Sequence, residues 1–470
     1  MKVLYVSAEA LPFIASGGLA DVAGSLPKAL RNKKVAARVV LPYYKTIPSA
    51  LKEKCKFLKS FTVELSWRKQ YCGVFTANID GVVYYLLDNE YYFGRDRLYG
   101  EFDDGERFAF FSKAVLDMLS HIDFHPDIIH CNDWQTGLVP VYLNDSYREK
   151  EPYKNIKTVF TIHNIQYQGQ FPHDIAADVL GLGIKAFRIL DFGGGINILK
   201  AAMQEADRIT TVSNSYAKEI LTPQFSYGLD GFLRDNSYKL SGILNGLDVN
   251  LYNPREDETI HSKFSETEIE KKEENKKALL EKFNLSYEEG VPVIAMVTRL
   301  VDPKGIGVVA SVFEELLNKN IKFILLGSGD EHYEKFFLKM KEKYPDKVGV
   351  YIGFSPALAK TVYAGADIFL MPSLSEPCGL AQLVALRYGT IPIVNEVGGL
   401  KDTVQNFDGE NGNGFTLKTG NPDELKDALF RALDSYENKE IWERLKIKAL
   451  TSDFSWKKSA DKYIEVYKGI

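Results

Sequence analysis

Two basic residues five positions apart, Arg299 and Lys304, stand in Val297-Thr298-Arg299-Leu300-Val301-Asp302-Pro303-Lys304-Gly305, between a β-branched run and a helical pattern. Flanking a turn, both can reach a diphosphate, which needs two positive charges when a glycosidic bond breaks. An arginine close to a helix N-terminus opposes the helix dipole, and a bound anion relieves that conflict. The plainer alternative is a solvated basic pair. A second cluster, Ser373-Leu374-Ser375-Glu376-Pro377-Cys378-Gly379-Leu380-Ala381-Gln382, puts Glu376 at a helix start. There it can accept hydrogen bonds from sugar hydroxyls or merely cap the helix, while the amides of Cys378, Gly379 and Leu380 can face a sugar or phosphate. The run Val397-Gly398-Gly399-Leu400-Lys401-Asp402-Thr403-Val404 follows it.

A third cluster lies after the first apolar run. In Phe13-Ile14-Ala15-Ser16-Gly17-Gly18-Leu19-Ala20-Asp21-Val22 the paired glycines let backbone approach a ligand, and the helix they open offers free amides to an anion or a sugar oxygen. A tight turn with no ligand accounts equally for the glycines alone. His163 ends another apolar run beside Asn164 and a Gln166-Tyr167-Gln168-Gly169 turn, and reads as a site residue or a satisfied core histidine. The spacing of His121, His125 and His130 brackets Pro126 and a buried strand, which argues against a metal site there. The aromatic loop 91–102 can stack on sugar rings, although most of the 26 Tyr and 28 Phe must serve packing.

The elements that must position these residues repeat one theme: a β-branched run, a turn, then a helical pattern, as in parallel strands with crossover helices. Strands are predicted at 3–6, 38–41, 127–131, 158–162 and 208–212, and in a second series at 293–297, 323–326, 348–352, 367–371 and 391–394. Val308, Val309, Val312, Phe313, Leu316 and Leu317 recur at helical spacing, and a capped helix opens at Asn421-Pro422-Asp423-Glu424. The charged stretch 256–282 is expected to be a solvated surface helix, with a partner-binding helix as the alternative. Ligands of open parallel sheets bind beyond the carboxyl ends of the strands, so two such sheets imply a donor–acceptor cleft. The fold class is α/β, two Rossmann-like doubly wound domains facing across that cleft.

Composition narrows the partners. A chain of 470 residues, 45% apolar and 26% charged, supports two ordered domains. A net charge of −5 with no basic stripe argues against nucleic acid. No run approaches a membrane span, and the opening Met1-Lys2-Val3-Leu4-Tyr5-Val6 reads as a buried strand and not as a signal peptide. Cys55, Cys72, Cys131 and Cys378 are too scattered for a metal or disulfide framework, so a reducing cytoplasm is expected.

Taken together, the ordered motifs resemble bacterial glycogen synthases and plant starch synthases, the ADP-glucose-using branch of the GT-B glycosyltransferases. The likeness runs from Lys2-Val3-Leu4 through His130-Cys131-Asn132-Asp133-Trp134-Gln135-Thr136-Gly137, the His163 block, Pro223-Gln224-Phe225-Ser226-Tyr227-Gly228-Leu229-Asp230-Gly231 and Asn245-Gly246-Leu247-Asp248 to Glu376-Pro377-Cys378-Gly379-Leu380. The resemblance implies an acceptor-side domain at 1–240, a nucleotide-sugar domain at 241–450 and a C-terminal helix, 451–470, packing back on the first. It implies retaining transfer of glucose from ADP-glucose to the non-reducing end of an α-1,4-glucan, releasing ADP, without metal or cofactor, through hinged closure of the cleft. Arg299 and Lys304 would hold the diphosphate, Glu376 would orient the glucose, and His163 would sit beside the transferred sugar. Gly17, Gly18, Asp21, Asn245, Cys378, Gly379 and Leu380 would contact the donor, with Tyr99 and Asp133 on the acceptor side of the cleft.

Three departures accompany the likeness. Ala15 stands where the family usually carries lysine, Leu374-Ser375 where many relatives carry Arg-Phe, and Asn395-Glu396 in a stretch that is often basic. Each lost charge-assisted contact removes about 1.5–3 kcal/mol of binding. The competing readings are a UDP-glucose enzyme of the same fold, a phosphorylase, and a catalytically weakened glucan-binding protein. Oligomeric state is not legible.

Overall fold

A computed structural model describes all 470 residues. It divides into two compact units, Met1–Gly246 with Trp456–Ile470, and Leu247–Ser455. No helix is long and apolar enough to cross a membrane, and all four cysteines are free.

The first unit is built on a nine-stranded sheet: β1 (Lys2–Val6), β2 (Ala36–Pro42), β3 (Lys56–Leu65), β4 (Arg68–Ile79), β5 (Val82–Asp88), β6 (Ile128–Asn132) and β7 (Lys157–Ile162), joined after a small three-stranded excursion, β8 (Gln170–Phe171), β9 (Asp191–Phe192) and β10 (Gly195–Asn197), by β11 (Arg208–Thr211) and β12 (Leu240–Gly242). Their order is β12-β11-β7-β6-β1-β2-β5-β4-β3. Strands β1, β6 and β7 are buried almost throughout, as strands covered on both faces must be. The chain leaves β1 for β2 on one side and later returns to β6 on the other, so the connections diverge between β1 and β6 and leave a crevice at their carboxyl ends.

Strands β3, β4 and β5 are not among the predicted strands. They extend the sheet, β3 and β4 running antiparallel at its edge. Both β3 and β4 are exposed or half-buried over much of their length and lack the continuous apolar runs that mark the parallel strands, whereas β5 is such a run, mostly buried and paired in parallel with β2. The division between units falls at Gly246/Leu247 rather than at 240/241, because Leu240–Gly242 is a strand paired in parallel with β11. The last helix, Trp456–Lys468, belongs to the first unit: Ser459 donates to the Leu244 carbonyl at 2.5 Å, and the hydroxyl of Tyr467 meets His130 Nδ1 at 2.7 Å.

The second unit is a six-stranded, all-parallel sheet, β13 (Val293–Val297), β14 (Lys322–Gly327), β15 (Val348–Ile352), β16 (Ile368–Met371), β17 (Ile391–Asn395) and β18 (Phe415–Leu417), in the order β15-β14-β13-β16-β17-β18. Its switch point lies between β13 and β16. Helix Ile306–Leu317 buries Val309, Val312, Phe313, Leu316 and Leu317 against the sheet, and Asn421 caps helix Pro422–Glu437 by accepting from Glu424 N at 2.9 Å.

The charged stretch 256–282 is not a solvated helix. Only Lys272–Lys282 forms an α-helix after a 3-10 turn, and Lys272 and Lys276 are buried at 4% and 1% exposure. Lys276 pairs with Asp367 at 2.9 Å, while Lys272 donates to the carbonyls of Tyr363 and Ala364 and to Thr390. Long aliphatic stems let both residues pack like apolar ones, provided the ammonium ends on acceptors. Burial pushes Lys272 down to about 7; at Lys276 burial acts the same way but Asp367 overrides it and the amine stays above its usual range.

Candidate active site

In the second unit both phosphate-type motifs sit at the switch point. The loop after β13 carries Arg299 and Lys304, and the loop after β16 carries Glu376. Leu374 and Ser375 donate their amides to the Pro303 carbonyl at 2.9 and 3.4 Å, which fastens the two loops together. Gly305 makes that approach possible. It has φ of 72°, and a Cβ there would lie 2.1 Å from the Pro372 carbonyl oxygen. Gly398, with φ of 44°, plays the same part under Glu376, where a Cβ would come within 1.9 Å of the Glu376 carbonyl oxygen.

Lys304 Nζ donates to Glu376 Oε2 at 2.5 Å, and Ser373 Oγ donates to the same oxygen at 3.1 Å. The Lys304 and Glu376 side chains are 19% and 9% exposed, so the pair is largely withdrawn from water. Arg299 differs: it is exposed and has no carboxylate within ion-pair reach. The two cations are therefore not a symmetric pair. One is positioned by a carboxylate and one is left for an outside anion, giving the site a formal charge of +1. Gly379, with φ of 73°, and Cys378 present their carbonyls to Gln382 Nε2 at 3.0 Å each, which fixes the turn into helix Ala381–Arg387 just after Leu380.

The first unit gathers its candidates at the ends of β1, β6 and β7. Asp133 adopts φ of 56°, rare for a residue with a side chain and costing about 1–3 kcal/mol. The distortion turns its carboxylate onto the backbone: Oδ1 accepts from His163 N at 2.7 Å and Asn164 N at 3.5 Å. His163 Nε2 lies 2.9 Å from Asn132 Oδ1, whose Nδ2 donates to the Val6 carbonyl at 2.9 Å. That carbonyl fixes the amide's orientation, so Nε2 carries the proton and Nδ1 is left as an acceptor. Burial holds the ring neutral by lowering its pKa to about 3. Asp133 is pushed up to about 7 by burial, against the two backbone N–H groups.

Gly17 opens helix Gly18–Asn32 with φ of −165°, an extended conformation open to any residue, and a Cβ added there would meet nothing within 4 Å. Neither backbone nor packing asks for glycine, which leaves room for a ligand. Asp21 lies in the first turn of that helix. Tyr99 is half-buried, and its phenol is raised by burial and by nearby Glu9, Tyr44 and Asp133. Asn245 is buried with Oδ1 lacking any hydrogen-bond partner, as expected of a group awaiting a donor from outside the chain. The histidines read against a metal part company: His121 stacks on Phe61 at 4.6 Å, and His130 bonds Tyr467 and Thr161.

A glycogen synthase of Bacillus cereus is 49% identical over 474 residues, spanning all of both chains. The chain belongs to the glycogen synthase family. A glycogen synthase of Anoxybacillus flavithermus is also 49% identical, over 99% of this chain and 97% of its own. Residues 2–235 match the family model for the starch synthase catalytic domain, and residues 279–448 that for glycosyl transferases group 1. The catalytic domain of starch synthase IV from Arabidopsis thaliana superposes with a TM-score of 0.92 at 33% identity, covering 99% of this chain and 98% of that one. A sucrose-phosphate synthase from Thermosynechococcus elongatus, at 16% identity and a TM-score of 0.62, shares the fold. This chain is a GT-B glycosyltransferase of glycogen or starch synthesis.

Three residues of the site escaped the motif reading. Asn132 orients His163, Ser373 helps hold Glu376, and Glu9, 3% exposed, accepts the Ser16 N–H. Asn132 and Ser373 each immediately precede or lie within a quoted motif, but their partners lie elsewhere on the chain or across a turn, and Glu9 appears in the sequence only as a polar residue after β1.

Proposed function

We propose that this protein elongates an α-1,4-glucan by retaining transfer of glucose from ADP-glucose to the non-reducing end, releasing ADP without a metal ion. The observation that carries the reading is the second unit's arrangement of a free Arg299 beside a Lys304 fixed on Glu376. Arg299 and Lys304 offset the charge that develops on the departing diphosphate, the role a metal plays in other transferases. Glu376, held in place by Lys304 and Ser373, accepts from glucose hydroxyls. His163 supplies Nδ1 as a neutral acceptor toward the transferred sugar, and the Gly17-Gly18 turn and Asn245 contribute donor contacts. The Arabidopsis starch synthase IV domain, solved bound to ADP and acarbose, supports an adenine nucleotide as the leaving group.

The test is ADP release from purified protein with glycogen and ADP-glucose, run beside UDP-glucose at equal concentration. The expected outcome is turnover that requires glycogen and prefers ADP-glucose. Turnover with UDP-glucose alone would reassign the donor, and none with either at high enzyme concentration would refute the reading. Ala15 is the residue that gives the donor comparison its point, since it removes a positive charge that the family usually brings to this loop.

A further inference from the structure

Glu9 is the most deeply buried carboxylate of the first unit's site that no motif explains. It follows β1, where Ser7 Oγ donates to its carbonyl at 2.6 Å and an Ala10–Ile14 bridge folds the chain back. Its side chain crosses that fold and accepts the Ser16 N–H, so it ties down the 15–18 loop from beneath. Ala15 to Gly18 are themselves exposed, which leaves this carboxylate as the loop's inner anchor.

The ionisable groups around it are two carboxyls and two phenols, and burial keeps the phenols neutral. Asp21 approaches from helix Gly18–Asn32, Asp133 from the end of β6, Tyr44 from beyond β2 and Tyr99 from the segment before helix Asp104–Met118. Arg107, on that last helix, faces Tyr44 and is engaged by Asp104. No lysine or arginine forms an ion pair with Glu9. The exposed 15–18 loop, whose Ser16 amide Glu9 holds, reads Ala15-Ser16-Gly17-Gly18 and brings no cation of its own.

We infer that Glu9 is a positioning residue that holds the 15–18 loop through its ionised carboxylate, and that Ala15 leaves this clamp without a cation, so that donor use fails as the solution becomes acidic. The inference rests on the proposed donor role of the Gly17-Gly18 turn. Burial, opposed by the Ser16 hydroxyl and the Ser16 and Gly17 amides and reinforced by Asp21, raises the Glu9 carboxyl to about 7, so the switch falls near neutrality. Protonation removes the charge that makes the bonds to the Ser16 and Gly17 amides strong.

The experiment measures the KM for ADP-glucose at saturating glycogen, and the affinity for ADP alone, from pH 5.5 to 8.5. In the wild type both should weaken below about pH 7, approaching tenfold per pH unit, while the KM for glycogen stays level. Glu9→Gln should weaken donor binding at pH 8 and flatten the profile. Ala15→Lys, at an exposed position where folding is not in question, should move the acidic limb at least one pH unit lower. A limb that persists in Glu9→Gln belongs to Asp133 and overturns the inference, as does a limb that Ala15→Lys leaves in place. Wild-type protein that binds no ADP and turns over no ADP-glucose at any pH would sink the functional reading, and the clamp with it. Turnover with an unmoved limb would sink the clamp alone.

Discussion

The two switch-point sites handle buried charge in opposite ways. In the second unit's site Glu376 meets Lys304, and at the other end of β16 Asp367 meets Lys276, so both carboxylates have a cation beside them. In the first unit Asp133 is held by backbone N–H groups and Glu9 by backbone N–H groups and the Ser16 hydroxyl, neither with a cation, and His163 and His130 stay neutral. Burial without a cation raises the Glu9 and Asp133 carboxyls toward neutrality, to about 7. Of the two sites, the first unit's is therefore the one whose charge changes near neutral pH.

The contrast can be broken most forcefully at the pairs. Lys276→Ala leaves Asp367 buried without its cation and should cost about 3–5 kcal/mol, read as a lowered denaturation midpoint of the second unit. A loss near zero would show that water or another group replaces the amine. At the site itself, Lys304→Ala should lower kcat by about 10²–10³ with the fold intact, since the charge it supplies is needed most as the diphosphate leaves. An unchanged kcat with a raised KM would mean that Lys304 only binds.

The smallest effect is the sharpest test of the first unit. Glu9 and Asp133 have folded pKa values raised to about 7, so the folded state holds their protons where the unfolded chain has lost them. Their contribution is fully present below the unfolded carboxyl values and is lost as pH rises through about 7. His130 and His163 are lowered to about 3 by burial, so theirs is present above the ordinary histidine value and is lost as pH falls toward 3. Between roughly pH 4.5 and 6.5 the two pairs oppose each other, two protons taken up against two withheld. Glu9→Gln removes one side of that balance. Over this window its stability should fall on acidification more steeply than the wild type by about 1.4 kcal/mol per pH unit, measured by urea denaturation at several pH values. Parallel profiles would show that Glu9 ionises freely in the folded protein.

Much of this was legible along the chain. Parallel strands buried on both faces leave continuous apolar runs, and their carboxyl-end loops carry the residues with chemical types, so Arg299, Lys304, Glu376, His163 and the Gly17-Gly18 turn could be picked out by local pattern. Strands β3 and β4 could not, because exposure at the sheet's edge dilutes the apolar signal, whereas β5 carries the same apolar run as the parallel strands and is absent from the predicted set. Lys272 and Lys276 misled for a related reason, since a lysine's sequence neighbours do not say whether its amine will find acceptors.

The sequence by itself determined the α/β alternation, the positions of the site loops and the family, because each depends on residues adjacent in the chain. Only the tertiary structure decided which charges meet. Lys304 and Glu376 lie 72 residues apart, Lys276 reaches Asp367 from a helix that packs against the sheet, and Asp133 meets the His163 amide where β6 and β7 end side by side. The energy of a buried charge is set by what lies within a few ångströms of it and by the water removed from it, and neither is a property of the local sequence.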